Sequence, residues 1–209
     1  DTGVESNIET NGTLLTESDI KRLSQSRIKE IGVSIDFPDP QRFEAFRGLP
    51  HSFKKVTRTM RLLHEYSIPV VAIMSVFQEN LKDIPAVAEL VFGLGADKLK
   101  AHPVMPMGRA REFAGHLLPL SDYSELARTL EKLMHVYREK IGTSLPWVLI
   151  ADFPPEYLNI TRTVCNYRNL LTILPNGDIS LCGIGMIHPS TILGNIKRVN
   201  LTEIWADEY

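Results

Sequence analysis

The chain has 209 residues, 44% of them hydrophobic and 23% charged, with a formal net charge of −2. This is the composition of an ordinary globular protein with enough apolar material for a sizeable core, and its near-neutral charge gives no electrostatic case for nucleic acid or for an acidic membrane surface. No apolar run approaches the roughly 18 residues of a membrane span, the opening Asp1-Thr2-Gly3-Val4 has no signal-peptide pattern, and two cysteines are too few for a disulfide scaffold at this length.

The first two-thirds of the chain alternate between short apolar runs and helix-period segments. A strand is predicted over 4–9, with a turn at Asn11-Gly12. A helix follows over 16–28, opened by the capping-box pair Thr16 and Asp19, with Ile20, Leu23 and Ile28 on one face. Residues 31–35 give a second strand. Residues 52–66 give a helix with Phe53, Val56, Met60 and Leu63 in one stripe. The near-continuous apolar run 69–76 predicts a strand covered on both faces. Asn80 is placed to cap the next helix, with Asp83 three residues on. That helix turns Ile84, Val87, Ala88 and Val91 inward and stops at Gly93-Leu94-Gly95. A strand over 98–104, a Pro- and Gly-rich loop over 105–120, and a long helix from Ser121 come next, the helix with Leu126, Leu130, Leu133 and Tyr137 on its apolar side. Residues 147–150 read as one more strand. Strands alternating with helices predict an α/β fold of four βα units with a parallel sheet and helices outside it. The pattern alone does not separate an open sheet from a barrel.

The alternation ends near Asp152, at Phe153-Pro154-Pro155-Glu156. Residues 170–174 and 179–182 flank Pro175-Asn176-Gly177-Asp178, a strong hairpin signal. Residues 201–205 open a short helix. Two domains are therefore expected, residues 1–152 and 153–209.

The cysteines frame that hairpin. Cys165 is followed by eleven residues, Gly177, four residues and Cys182. A hairpin folds Cys165 and Cys182 towards each other, which suits shared ligation, and thiolates select iron–sulfur clusters or zinc. Both usually take four protein ligands. His188 is a further candidate, although a solvent-exposed loop histidine is the simpler reading.

The segment resembles the start of a SPASM domain, the auxiliary iron–sulfur domain of radical S-adenosylmethionine (SAM) enzymes. The likeness rests on the Cys165, Gly177, Cys182 frame together with Leu174-Pro175-Asn176-Gly177-Asp178-Ile179-Ser180-Leu181-Cys182, Leu193-Gly194-Asn195-Ile196 and Leu201-Thr202-Glu203-Ile204-Trp205. Upstream, Glu9-Thr10-Asn11-Gly12 with Leu14-Leu15 resembles the third-strand end of the radical SAM barrel. Val33-Ser34-Ile35-Asp36 resembles the fourth strand, and Arg47-Gly48 with Ser52-Phe53 the segment after it. Asn80-Leu81 and Pro106-Met107-Gly108-Arg109-Ala110 resemble the ends of strands five and six.

The resemblance implies a partial (β/α)6 barrel, about strands three to six, followed by the start of a SPASM domain. It implies that Ser34 and Arg47 contact the SAM methionyl group and that Thr10 and Asn11 lie at a ligand-binding strand end. Arg109 is a further, weaker candidate for SAM or substrate contact, and Asp36 for a substrate-facing acid. Cys165 and Cys182 would ligate an auxiliary 4Fe–4S cluster. Each residue also has a plain reading: Ser34 as a buried hydroxyl, Arg47 as a surface ion pair, Thr10-Asn11-Gly12 as a tight turn. The reaction implied is generation of a 5′-deoxyadenosyl radical that abstracts hydrogen from a peptide, a protein or a cofactor precursor, with an electron donor such as flavodoxin or ferredoxin.

The Cys-x3-Cys-x2-Cys loop that holds the SAM-binding cluster, and the Gly-Gly-Glu motif of the second strand, are not in the chain. An internal fragment, itself unable to cleave SAM, is therefore expected, in place of a degenerate stand-alone relative. An iron–sulfur enzyme without an export signal is expected in the cytoplasm. Two other classes remain open on the residues: a non-catalytic metal-binding module with a zinc or iron–sulfur hairpin, and a non-radical α/β-barrel lyase. The lyase would need a catalytic lysine, for which Lys98 and Lys100 are the strand-borne choices.

Overall fold

The computed structural model describes residues 3–106, 108–143, 170–181 and 189–206. The chain forms two compact units, one of residues 1–106 and 112–162, the other of 107–111 and 163–209. The expected boundary at 152/153, the strand over 147–150, Cys165, Cys182, His188 and the side chain of Arg109 all lie outside the described residues.

In the first unit β1 (Ser6–Thr10), β2 (Ile28–Ser34), β3 (Val70–Val76), β4 (Lys98–Pro103) and β5 (Ile141–Gly142) form a parallel sheet in that spatial order. The connections are α1 (Glu17–Ser24), α2 (Pro40–Arg47) and α3 (Ser52–Glu65), α4 (Ile84–Gly93), and α5 (Leu120–Tyr137). The four βα units are those expected.

Local chemistry sets the boundaries. At α1 the Thr16 hydroxyl accepts from the Asp19 N–H at 3.2 Å and the Asp19 carboxylate accepts from the Thr16 N–H at 3.0 Å, the capping box read from the sequence. Ile28, assigned from its periodicity to that helix, is instead the first residue of β2. The helix ends at Ser24, and the strand draws Ile28 into the ladder opposite Ser6. Helix α2 was not foreseen. It starts with Asp39 accepting from the Arg42 N–H at 2.8 Å and has Pro40 in its first turn. At eight residues with one buried side chain, Phe43, it is too short to show a periodicity.

The core fills the helix side of the sheet. Ile31, Val33, Ile35, Val70, Ala72, Met74, Val76, Leu99 and Ala101 have no exposed surface, and they pack with Ile20, Val56, Met60, Leu63, Ile84, Val87, Val91, Leu126 and Leu130 from the helices.

In the second unit β6 (Thr172–Ile173) and β7 (Asp178–Ser180) form the expected hairpin, and β8 (Ile192–Asn195) adds a third antiparallel strand beside β7. The turn needs Gly177. Its φ is +94°, and a Cβ there would lie 3.0 Å from Asn195 Oδ1. Asn195 donates to Asp178 Oδ1 at 2.8 Å and Asn176 to Oδ2 at 2.6 Å, and these bonds, the Asn195 one foremost, hold the Asp178 carboxyl below its ordinary value. The expected short helix is α6 (Leu201–Ala206). Among the described residues no helix is long and apolar enough to cross a membrane.

Candidate functional site

Side chains alternate along a strand, and paired residues of neighbouring strands share a face. The register places Glu9 beside Gly32, Gly32 beside Val71, Ser34 beside Ile73, Ile73 beside Lys100, and Ser75 beside His102. All of these lie on the face opposite the helix-side core. Eight polar residues share it: Asn7, Glu9, Glu30, Ser34, Ser75, Lys98, Lys100 and His102. Barrel interiors are usually filled by branched apolar side chains. This face is polar and partly solvated instead, the character of a ligand surface.

Its chemistry gathers at the C-terminal ends of β2 and β3. Ser34 is half-buried, and its hydroxyl makes no hydrogen bond among the described residues. Two residues on, Asp36 is fully buried. Its Oδ1 accepts from the Ser75 N–H at 3.0 Å, and its Oδ2 lies 2.5 Å from Arg47 Nη2. That second contact is an ion pair without hydrogen-bond alignment, because Oδ2 and the buried Arg47 Nε are both left without a hydrogen bond. Burial pushes the Asp36 carboxyl above its ordinary value, against the lowering by the Arg47 guanidinium and the Ser75 N–H. Asp36 is therefore not a substrate-facing acid: it has no exposed surface, and its charge is turned to Arg47.

Arg47, the last residue of α2, is neither a simple surface ion pair nor free. Its guanidinium carbon lies 5.7 Å from the ring centroids of both Phe43 and Phe46. Phe46 in turn meets Phe37 at 5.4 Å and Phe77 at 5.2 Å, edge to face. Asn80 closes the arrangement. It is fully buried, donates to the Asp36 carbonyl at 3.0 Å and the Ser75 carbonyl at 2.9 Å, and accepts from the Phe77 N–H at 2.7 Å. It makes no cap bond, contrary to its expected role. The two strand ends supply it with better-buried partners.

Thr10 and Asn11 are committed to a local turn. The Gly12 N–H donates to the Thr10 hydroxyl at 3.1 Å, and the Thr13 N–H and hydroxyl donate to Asn11 Oδ1 at 3.1 and 2.9 Å. Gly12 has φ +69°, and a Cβ there would lie 3.0 Å from Val33 Cγ1. Thr10 is in register with Val33, so its strand position belongs to the helix side of the sheet. Asn11 is exposed.

Lys100 has a partner that the sequence did not reveal. Its ammonium reaches across β3 to Glu30 Oε1 at 3.3 Å, an ion pair on the polar face. His102, two residues nearer the strand end, has its pKa held below the ordinary value by burial and by the Lys100 charge. Lys100 was singled out from the sequence and His102 was not, although the run Lys98, Lys100, His102, alternating with the apolar Leu99 and Ala101, puts both on one face. Among the described residues no three His, Cys, Asp or Glu side chains converge as a metal site.

The donors at this strand end fit a carboxylate-bearing ligand such as SAM. The guanidinium engages Asp36 through Nη2 alone and keeps hydrogen-bonding capacity, and a hydroxyl without a partner stands on the same face at Ser34.

Comparison with known proteins gives the family. Residues 1–91 match the Radical SAM superfamily, and residues 165–209 match SPASM, the iron-sulfur cluster-binding domain. The antilisterial bacteriocin subtilosin biosynthesis protein AlbA of Bacillus subtilis is 32% identical over 188 residues, covering 90% of this chain and 39% of that protein. The AdoMet-dependent heme synthase of Nitratidesulfovibrio vulgaris is 26% identical over 223 residues, covering 98% of this chain and 59% of that protein. The chain thus spans about half the length of such relatives. The crystal structure of Streptococcus suis SuiB bound to its precursor peptide SuiA superposes with a TM-score of 0.72 at 14% identity, over 98% of this chain and 48% of that one, a likeness of fold. The parallel sheet is the partial barrel expected, and the hairpin sheet is the SPASM part. The chain belongs to the radical SAM superfamily, and it carries a SPASM iron–sulfur cluster-binding domain.

Proposed function

We propose that the whole protein is a radical SAM maturase whose substrate is a peptide, and that this chain provides one wall of its SAM site. In this reading Ser34 and Arg47 bind the methionyl carboxylate, the Thr10-Asn11 turn forms the rim of the site, and Cys165 and Cys182 ligate an auxiliary 4Fe–4S cluster. When bound, SAM and the clusters supply the one-electron chemistry that removes a hydrogen atom from the substrate. The chain's own residues hold the carboxylate and line the compartment.

The observation that carries the reading is the position of Ser34 on the polar face at the C-terminal end of β2, two residues before Asp36, whose carboxylate pairs with Arg47. A peptide substrate is favoured because a bacteriocin biosynthesis protein is 32% identical to this chain. A cofactor precursor is the second reading, supported by the heme synthase match across 98% of the chain. The ion pair of Lys100 with Glu30 argues against a lysine-dependent lyase, because that amine is already engaged.

The test uses the whole protein, reconstituted with iron and sulfide and reduced. Ser34→Ala is expected to weaken SAM binding and to slow 5′-deoxyadenosine formation about tenfold, the effect of one lost hydrogen bond to a charged group. Cys165→Ala and Cys182→Ala are expected to lower iron and acid-labile sulfide while leaving SAM binding in place. SAM affinity unchanged by Ser34→Ala, or iron content unchanged by both cysteine substitutions, would overturn the corresponding assignment. Bound zinc without sulfide would favour the metal-binding module.

A further inference from the structure

We propose that Asp36 is the positioning residue of the SAM site: it never touches the ligand, but it aims the Arg47 guanidinium at the ligand carboxylate. The proposal rests on the reading of Arg47 as a SAM-binding residue.

An arginine at the end of a helix has four side-chain torsions to fix before it can present a planar fork to a carboxylate, and each unfixed rotamer weakens binding. Arg47 is the last residue of α2 and is followed by Gly48 in a left-handed conformation, so its backbone leaves the helix at that point. Phe43 and Phe46 flank the guanidinium, with both ring centroids 5.7 Å from its carbon, but an aromatic face is not a directional partner and does not by itself fix the fork. The Asp36 carboxylate draws one end of the guanidinium to a fixed place, 2.5 Å from Nη2.

Asp36 is itself unusually well held. It has no exposed surface. Its carboxylate is anchored by the Ser75 N–H at 3.0 Å, and its carbonyl by the Asn80 amide at 3.0 Å. The carboxylate is thus fixed by two neighbouring strand ends, and Arg47, 28% exposed, is the member of the pair that reaches solvent. A charge buried this completely, with one oxygen unaligned for hydrogen bonding, is costly to the fold. Its retention is accounted for by what it does to Arg47. The carboxylate also adjusts the cation's charge: a neutralised Arg47 attracts a second carboxylate less, so the arrangement favours geometric recognition over simple charge attraction.

The test compares SAM with decarboxylated SAM, each titrated calorimetrically into the whole reconstituted protein. For Asp36→Asn, which keeps the shape and the Ser75 acceptor, SAM affinity is expected to fall about ten- to a hundredfold, as when the partner that orients a binding group is removed elsewhere. Affinity for decarboxylated SAM is expected to stay within about twofold of the unsubstituted protein. Asp36→Glu, which restores the charge on a longer arm, is expected to recover part of the SAM affinity. A merely structural Asp36 would weaken both ligands together; equal loss for the two, or no loss for either, overturns the proposal. If Asp36→Asn does not fold, Asp36→Glu, which keeps the charge but displaces it from its place beside Arg47 Nη2, takes its place. It must then show the same selective loss for SAM, and equal loss for both ligands is again fatal. Should Ser34→Ala and Arg47→Lys leave SAM affinity unchanged, the SAM-site reading fails. Should they lower it while Asp36→Asn does not, only the positioning role fails.

Discussion

The two faces of the parallel sheet are made by the same strands and meet opposite demands. On the helix side, nine residues from Ile31 to Ala101 have no exposed surface. On the other side, the alternate positions of the same strands carry Glu30, Ser34, Ser75, Lys98, Lys100 and His102. One face supplies burial of apolar surface, the main favourable term in folding. The other contributes little to stability and holds the groups that can contact a ligand. A parallel sheet packed on both sides would read as continuous apolar runs. Strand β3 does read that way, with Val71 and Ile73 on the polar side. Strands β2 and β4 do not, and they carry most of the polar face.

The largest test of this contrast is to remove comparable bulk from each face. Met74→Ala, in the helix-side core, is expected to lower stability by about 2–5 kcal/mol. Lys98→Ala, on the polar face, is expected to change it by no more than about 0.5 kcal/mol. Urea titrations of the two variants decide this, and similar costs would mean that the polar face is packed like a core.

The one deeply buried charge on the polar side gives the next effect. Arg47→Met leaves the Asp36 carboxylate buried without its partner, at a cost of about 3 kcal/mol near neutral pH. Because burial raises the Asp36 pKa, protonation favours the folded state, so stability is fullest below the ordinary carboxyl value and is lost as pH rises through the folded one. The deficit of Arg47→Met should therefore shrink as pH falls through the carboxyl range. A deficit that does not change with pH would show that the loss comes from packing.

The smallest effect belongs to His102. Its pKa is lowered by burial and by Lys100, so the neutral ring is the folded form. Its contribution is present above the ordinary histidine value and is lost as pH falls towards the lower folded one. Thermal melts across that window should show the unsubstituted protein losing stability faster than His102→Gln. Parallel curves would place the ring in contact with water.

Most of the fold was legible because the helix-side face repeats with the periods of strand and helix. The stripes in 52–66 and 84–93, the capping box at Thr16 and the Asn176-Gly177 turn all appear where the pattern puts them. Ile28 was misplaced because an apolar residue at a helix–strand junction satisfies either period. The site was legible only in outline. Ser34 and Arg47 could be singled out, but the ion pair between Asp36 and Arg47 spans eleven positions of sequence, and no local period encodes it. The Lys100–Glu30 pair spans seventy. Asn80 looked like a helix cap because capping and cross-strand bonding ask for the same side chain. Which of them wins is decided by the carbonyls that tertiary structure brings within reach.

The Asn80 amide also bears on how this protein can diversify. Because one side chain closes on the carbonyls of Asp36 and Ser75 together, the loops after β2 and β3 are locked to a common frame. An insertion in either loop would shift the other and disturb the arginine between them. The loop after β4 is tied to the same frame through Gln78, whose amide donates to the Gly115 and Leu117 carbonyls at 3.1 and 2.7 Å, whereas the loop after β1 has no bond to Asn80 among the described residues. Lengthening is therefore best tolerated in the loop after β1, while the loops after β2, β3 and β4 keep their spacing.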